Sequence, residues 1–291
     1  MKKIFGKALT ILMCAALAMT FLACKDGPKT PEEIPESPAY TITAPEGQGA
    51  TIKISEDGKT ITLEPEADGI EYTITGDFEG QIINKRKGTV IVLNNANLKN
   101  TEGKAAIYGE LKTEIECEQN STNTITVTGE ADKTYGKAAV LCEKAIEIGG
   151  AGTCTISCEN GHGVKASKIE LKGSGNYTFD GGDDSSGINC NSFTVEQDEE
   201  NPRTFTAIFK DSKNGIKADE TISIASGTFK FENITKVALK TDTSADDNVG
   251  ETKEHKITLE GGAFTFTNCK KSYSTEENGF TKSATVTGDF N

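Results

Sequence analysis

Between Gly161 and Cys190 the chain begins to repeat its own pattern of apolar and polar positions. Gly163-Val164-Lys165-Ala166 returns as Gly187-Ile188-Asn189-Cys190 and again as Gly215-Ile216-Lys217-Ala218. Weaker copies are Ala106-Ile107-Tyr108-Gly109, Ala139-Val140-Leu141-Cys142 and Ala238-Leu239-Lys240-Thr241. Two further short runs belong to each repeat. One places aliphatic residues at every second position, as in Ile146/Ile148, Ile169/Leu171 and Ile222/Ile224; the other does the same with aromatics, as in Tyr177/Phe179, Phe229/Phe231 and Phe264/Phe266. Alternation at period two marks a strand with one buried face. Three such strands per repeat, separated by Gly and Asn turns, predict an all-β solenoid, a parallel β-helix in which each coil pairs with the coils before and after it. The spacing gives about seven or eight coils of roughly 24 residues between Thr51 and Asn268, and a single coil cannot bury its apolar side alone.

The ends of the chain read differently. Lys2, Lys3 and Lys7 precede an apolar run from Ala8 to Leu22, too short to span a membrane as a helix, so residues 1–23 are expected to be a signal peptide. Phe21-Leu22-Ala23-Cys24 is similar to a bacterial lipobox, which makes Cys24 the expected lipidation site and places the protein in the cell envelope, lipid-anchored to a membrane. Cleavage near Ala23 without acylation is the alternative, leaving Cys24 a free thiol. Residues 24–45, with Pro28, Pro31, Pro35 and Pro38 among Glu and Lys, are expected to form an extended tether. Residues 46–291 are the β-helix domain: a less regular N-terminal cap with a hairpin turn at Ser55-Glu56-Asp57-Gly58, the coils, and a C-terminal cap from Lys270. Acidic insertions interrupt the period at Gln197–Arg203 and Asp242–His255.

The formal net charge of −13 excludes a nucleic-acid binder, which needs a basic face for phosphate. Leaving out Cys14 and Cys24, the cysteines are Cys117, Cys142, Cys154, Cys158, Cys190 and Cys269. All but the last fall on inward positions of the repeat, which favours small buried apolar residues over disulfides.

Two sets of residues could carry chemistry. In the Gly-Ile-Lys-Ala strand, Ile and Ala point inward, so Lys165, Asn189, Lys217 and Lys240 face out and stack from coil to coil. Stacked lysines repel, so carboxylates or an acidic ligand should lie beside them. The strip is either a solvated, salt-linked face or a surface that grips hydroxyls and carboxylates of an extended polysaccharide. In the preceding turns stand Glu159, Asp183, Asp184 and Asp211, with Asn214 nearby. Adjacent coils would bring their oxygens together, either as loosely solvated acids or as a Ca²⁺ site built from successive turns. Histidines occur only at His162 and His255, with no triad spacing and no obvious acid pair, so catalysis is not expected.

The repeats at Gly163-Val164-Lys165-Ala166-Ser167, Gly187-Ile188-Asn189 and Gly215-Ile216-Lys217-Ala218-Asp219 resemble those of a bacterial cell-surface carbohydrate-binding β-helix family, calcium-bearing and related in fold to pectate lyases. The resemblance covers about Ile52 to Asn268. It implies a right-handed, single-stranded parallel β-helix, several Ca²⁺ ions in the turns, and binding of plant-type or acidic polysaccharide without general catalysis. The family places Asp or Gly directly before the Gly of the repeat; here His162, Ser186, Asn214 or Val237 stands there. The functional expectation is therefore a monomeric, surface-anchored, non-enzymatic protein that binds a polysaccharide along one face. An adhesin or structural rod, and a diverged polysaccharide lyase, are the alternatives.

Overall fold

The protein was analysed as a computed structural model, which describes residues 8–9, 39–197, 203–242, 254–288 and 290. Apart from residues 8–9, the expected leader lies outside the described residues, as do Cys24, most of the tether, and 198–202 and 243–253 within the two acidic insertions. Among the described residues every regular element is a strand, and pairing is mostly parallel.

Each pass of the chain contributes one strand to each of three parallel ladders. In the first, Ile82, Ile107, Val140, Val164, Ile188, Ile216 and Leu239 are successive register partners. In the second the row is Ile146, Ile169, Phe193, Ile222 and Ile257. In the third it is Leu98, Ile125, Ile156, Phe179, Phe209, Phe231 and Phe266. All of these side chains are buried and belong to one continuous core. Burying each is worth about 1.5–3 kcal/mol, and the row exists only because successive passes share register. The rings of the third ladder stack: Phe179 on Phe209 at 5.1 Å, Phe209 on Phe231 at 5.0 Å and Phe231 on Phe266 at 5.1 Å between centroids.

This packing explains the glycine that opens the repeat. Gly215 does not have a left-handed backbone; a Cβ there would lie 2.5 Å from Cδ1 of Phe231 and 2.7 Å from the Ala238 carbonyl oxygen. Gly187 stands in the same relation to Phe209, at 3.0 Å. The glycine therefore leaves room for the ring of the third ladder to lie against the first.

Two boundaries differ from the expectation. Tyr40–Pro45, assigned to the tether, is a strand pairing antiparallel with Glu71–Glu79, and its Ile42 is buried. Its alternating Tyr40, Ile42 and Ala44 cover the first pass, a role that the nearby prolines obscured. At the other end the ladders continue past Asn268: Tyr273–Ser274, Phe280–Lys282 and Thr285–Gly288 extend the first, second and third in parallel. The third ladder loses its aromatic pair there, Val286 and Gly288 standing in register with Phe264 and Phe266. The hairpin at Ser55–Gly58 forms as expected, joining Ile52–Ile54 to Thr60–Leu63. Cys117, Cys142, Cys154, Cys158 and Cys190 are buried free thiols, and Cys269 is partly exposed.

The outer face of the second ladder carries a stack of like charges. Glu114, Glu147 and Glu170 are register partners on successive passes, an arrangement that is destabilising without counter-ions. Lys172 lies back across it, bonding to Glu114 and reaching Glu147 at 3.2 Å and Glu116 at 3.9 Å. Lys112 bonds to Glu147, and Arg203 to Glu170 at 2.8 Å. The Lys172 stem passes over Gly149, where a Cβ would come within 2.7 Å of Cγ.

Burial alone would raise the Glu147 pKa; bonds to Lys112 and Lys172 outweigh that and hold it below its ordinary value of 4.5. A depressed carboxylate pKa contributes stability above the unfolded-state value and loses it as pH falls through the folded one. Lys172→Met is accordingly expected to cost about 1 kcal/mol at neutral pH, and the gap from the parent protein should narrow below about pH 4.5. Urea unfolding at several pH values measures this; an equal gap at every pH would contradict it.

Candidate functional site

The outward positions of the first ladder follow from the same alternation that buries Ile and Ala. Tyr108, Leu141, Lys165, Asn189, Lys217 and Lys240 are register partners in that order, so the strip expected from Lys165 to Lys240 is continuous. Its near end is closed: Tyr135 packs edge-on against Tyr108 with centroids 4.8 Å apart, and the Tyr108 hydroxyl donates to Glu143. From Leu141 onward the outward side chains are half-buried.

Two acids partly neutralise the strip. Lys217 Nζ lies 3.3 Å from Asp219 and 3.8 Å from Asp242, and Lys240 Nζ is 3.5 Å from Asp242. Neither acid is among the candidate residues that the repeat singles out, although Lys217-x-Asp219 and Lys240-x-Asp242 carry the period-two signal of a shared face. His162 sits beside Lys165, and its Nδ1 accepts the Ser186 N–H at 3.0 Å. Burial, then Lys165 and Lys217, lowers its pKa to about 4, so it is neutral at pH 7. His255 is 8% exposed, with Nδ1 2.7 Å from the Asp219 carbonyl oxygen.

The turn acids line one concavity with Ser157, Asn160 and Asp180, and Glu159, Asp184 and Asp211 are each engaged with a different partner. Glu159 accepts the Gly129 N–H at 3.3 Å, and Asp184 is paired with Lys213 at 3.4 Å while its side chain is 96% exposed. Asp211 has a left-handed backbone, φ 50°, and begins a turn ladder: it accepts from Asn233 at 2.9 Å, which accepts from Asn268 at 2.9 Å. Asn and Asp tolerate that backbone best, so Asp211 serves the turn. Asn214 does not face the concavity. It is 6% exposed, donates to Ser186 at 3.2 Å, and its Oδ1 is buried without a hydrogen-bond partner among the described residues. Asp183 is exposed at the rim. Among the described residues no three His, Cys, Asp or Glu side chains gather closely enough to hold a metal ion. As placed, Glu159, Asp183, Asp184, Asp211 and Asn214 do not fit a Ca²⁺ ion, which needs six to eight oxygens at about 2.4 Å.

Comparison with curated proteins gave no match. Among solved structures, a gadolinium derivative of a polysaccharide lyase-like protein from C. thermocellum is similar at a TM-score of 0.60 and 17% identity, over 81% of this chain and 90% of that one. At that identity the likeness concerns the fold, which is all-β, largely parallel and not closed into a barrel. The sequence model of one family, described as "Carbohydrate-binding domain-containing protein", matches residues 48–200, a span that holds the first passes of all three ladders together with Lys165 and Asn189. With more than half of its length matched, the chain belongs to this carbohydrate-binding domain family.

Proposed function

We propose that the three ladders form a right-handed parallel β-helix that binds an extended polysaccharide, acidic ones included, along the outward face of the first ladder. The observation that supports this most is the in-register row Lys165, Asn189, Lys217 and Lys240, a line of donors repeating once per pass. On a chain of net charge −13 this row is a cationic strip suited to uronate carboxylates. Family membership supports a carbohydrate as the ligand class. The protein acts by binding, as a monomer held at the envelope by acyl chains on Cys24; that anchor rests on the leader and lipobox pattern.

The test is direct binding to a panel of acidic and neutral polysaccharides, comparing the parent protein with a variant carrying Lys165→Gln, Lys217→Gln and Lys240→Gln, both checked for fold by circular dichroism. Expected is a loss of about tenfold or more in affinity for acidic polymers in the variant, and weaker parent binding as salt is raised. Absence of binding to any polymer would favour the structural rod, and release of unsaturated uronides would establish a lyase. Loss of binding in chelator would move the contact to a cation.

A further inference from the structure

The three lysines of the strip are not equivalent. Lys217 and Lys240 alternate with Asp219 and Asp242 in a row whose charges largely cancel. Among the described residues, no carboxylate lies within ion-pair distance of Lys165. Burial lowers its pKa first, then Lys137; Asp219 opposes and Lys217 adds to the lowering. Lys137 likewise has no ion pair among the described residues, and its neighbour His162 holds no positive charge to offset or add. Asn189, the register partner of Lys165, directs its side chain outward and makes no side-chain hydrogen bond to the described residues. The Lys165 ammonium, half-buried, and the Asn189 amide are thus donors on register-paired positions of adjacent passes, with no acceptor for either among the described residues. Such a group is stabilised by an anion from outside.

We infer that Lys165, with the Asn189 amide beside it on the next pass, is a single anion-holding subsite that takes one carboxylate or sulfate group of an acidic polysaccharide. Lys217 and Lys240 only continue the strip beyond it. The inference rests on the polysaccharide reading and narrows it: recognition of charge is concentrated at one pass, while the rest of the strip contacts hydroxyls. The ligand would be a polymer with an anionic group at one sugar in register with Lys165, and neutral sugars would be accepted on either side.

Isothermal titration with a uronate oligosaccharide, its methyl-esterified form and a sulfated oligosaccharide of the same backbone tests this. The parent protein is compared with Lys165→Gln, Lys165→Arg, Lys217→Gln and Lys240→Gln, each shown to be folded by its thermal transition. Expected is a loss of about tenfold or more for Lys165→Gln on whichever anionic form binds, a smaller loss for Lys165→Arg, and changes under about threefold for Lys217→Gln and Lys240→Gln. The carboxylated and sulfated forms identify the anion. Equal losses at all three lysines, or parent-like binding by Lys165→Gln, overturn the subsite. A parent protein that prefers the esterified form also overturns it while leaving the polysaccharide reading intact. Binding to none of the three removes both.

Discussion

Phe209→Ala is expected to destabilise the protein by about 3–5 kcal/mol, the usual cost of emptying a large buried aromatic position. Phe209 is fully buried between Phe179 at 5.1 Å and Phe231 at 5.0 Å, with ring planes 17° and 14° apart. The backbone ladder pins both neighbours at their own passes, so neither can slide in to fill the space. Equilibrium urea unfolding followed by circular dichroism reads the loss. Phe209→Leu, which keeps most of the volume, should lose about 1.5 kcal/mol or less. A loss below about 1 kcal/mol for the alanine variant would show that the stack relaxes freely, and the account of a register-locked core would fall.

Gly215→Ala should cost about 1–3 kcal/mol, because the added methyl meets the Phe231 ring and the Ala238 carbonyl. The predicted cause is crowding, and it can be separated from backbone strain. Combining Gly215→Ala with Phe231→Leu relieves the ring contact, so the double variant should lose less than the sum of the single changes. Strict additivity would mean that the carbonyl contact or the backbone dominates. The comparison also bears on function. Val164, Ile188 and Ile216 hold the strand on which Lys165, Asn189 and Lys217 ride, so a backbone displaced at Gly215 would shift the outward row at that pass.

Much of this was legible in the chain. Alternation of apolar residues at period two assigns each side chain to a face without knowledge of its neighbours, and recurrence of Gly-Ile-Lys-Ala aligns one pass with the next. Both follow from strand geometry, which is why the stacking of Lys165, Asn189, Lys217 and Lys240 could be read directly. The inward cysteines followed for the same reason. Tyr40–Pro45 reads as tether because a strand of six residues beside a proline-rich segment has too little local signal, and only pairing with Glu71–Glu79 makes it a strand.

The turns were the limit. Sequence spacing places Glu159, Asp183 and Asp211 at similar points of successive turns, but turn length varies, and a difference of one residue redirects a side chain. Asp211 enters a left-handed turn ladder with Asn233 and Asn268, Asn214 goes inward, and Asp184 swings to Lys213. The charge balance of the lysine strip was equally hidden, since Asp242 reaches Lys217 on the preceding pass as well as Lys240 beside it. The sequence by itself determined the strand periods, the inward and outward sets and the lysine row, because these depend on backbone repeat alone. The tertiary structure decided which charges cancel, which acids stand apart and that Lys165 is left with no carboxylate at ion-pair distance among the described residues. Those depend on turn lengths and on long side chains reaching across passes, which no local pattern encodes.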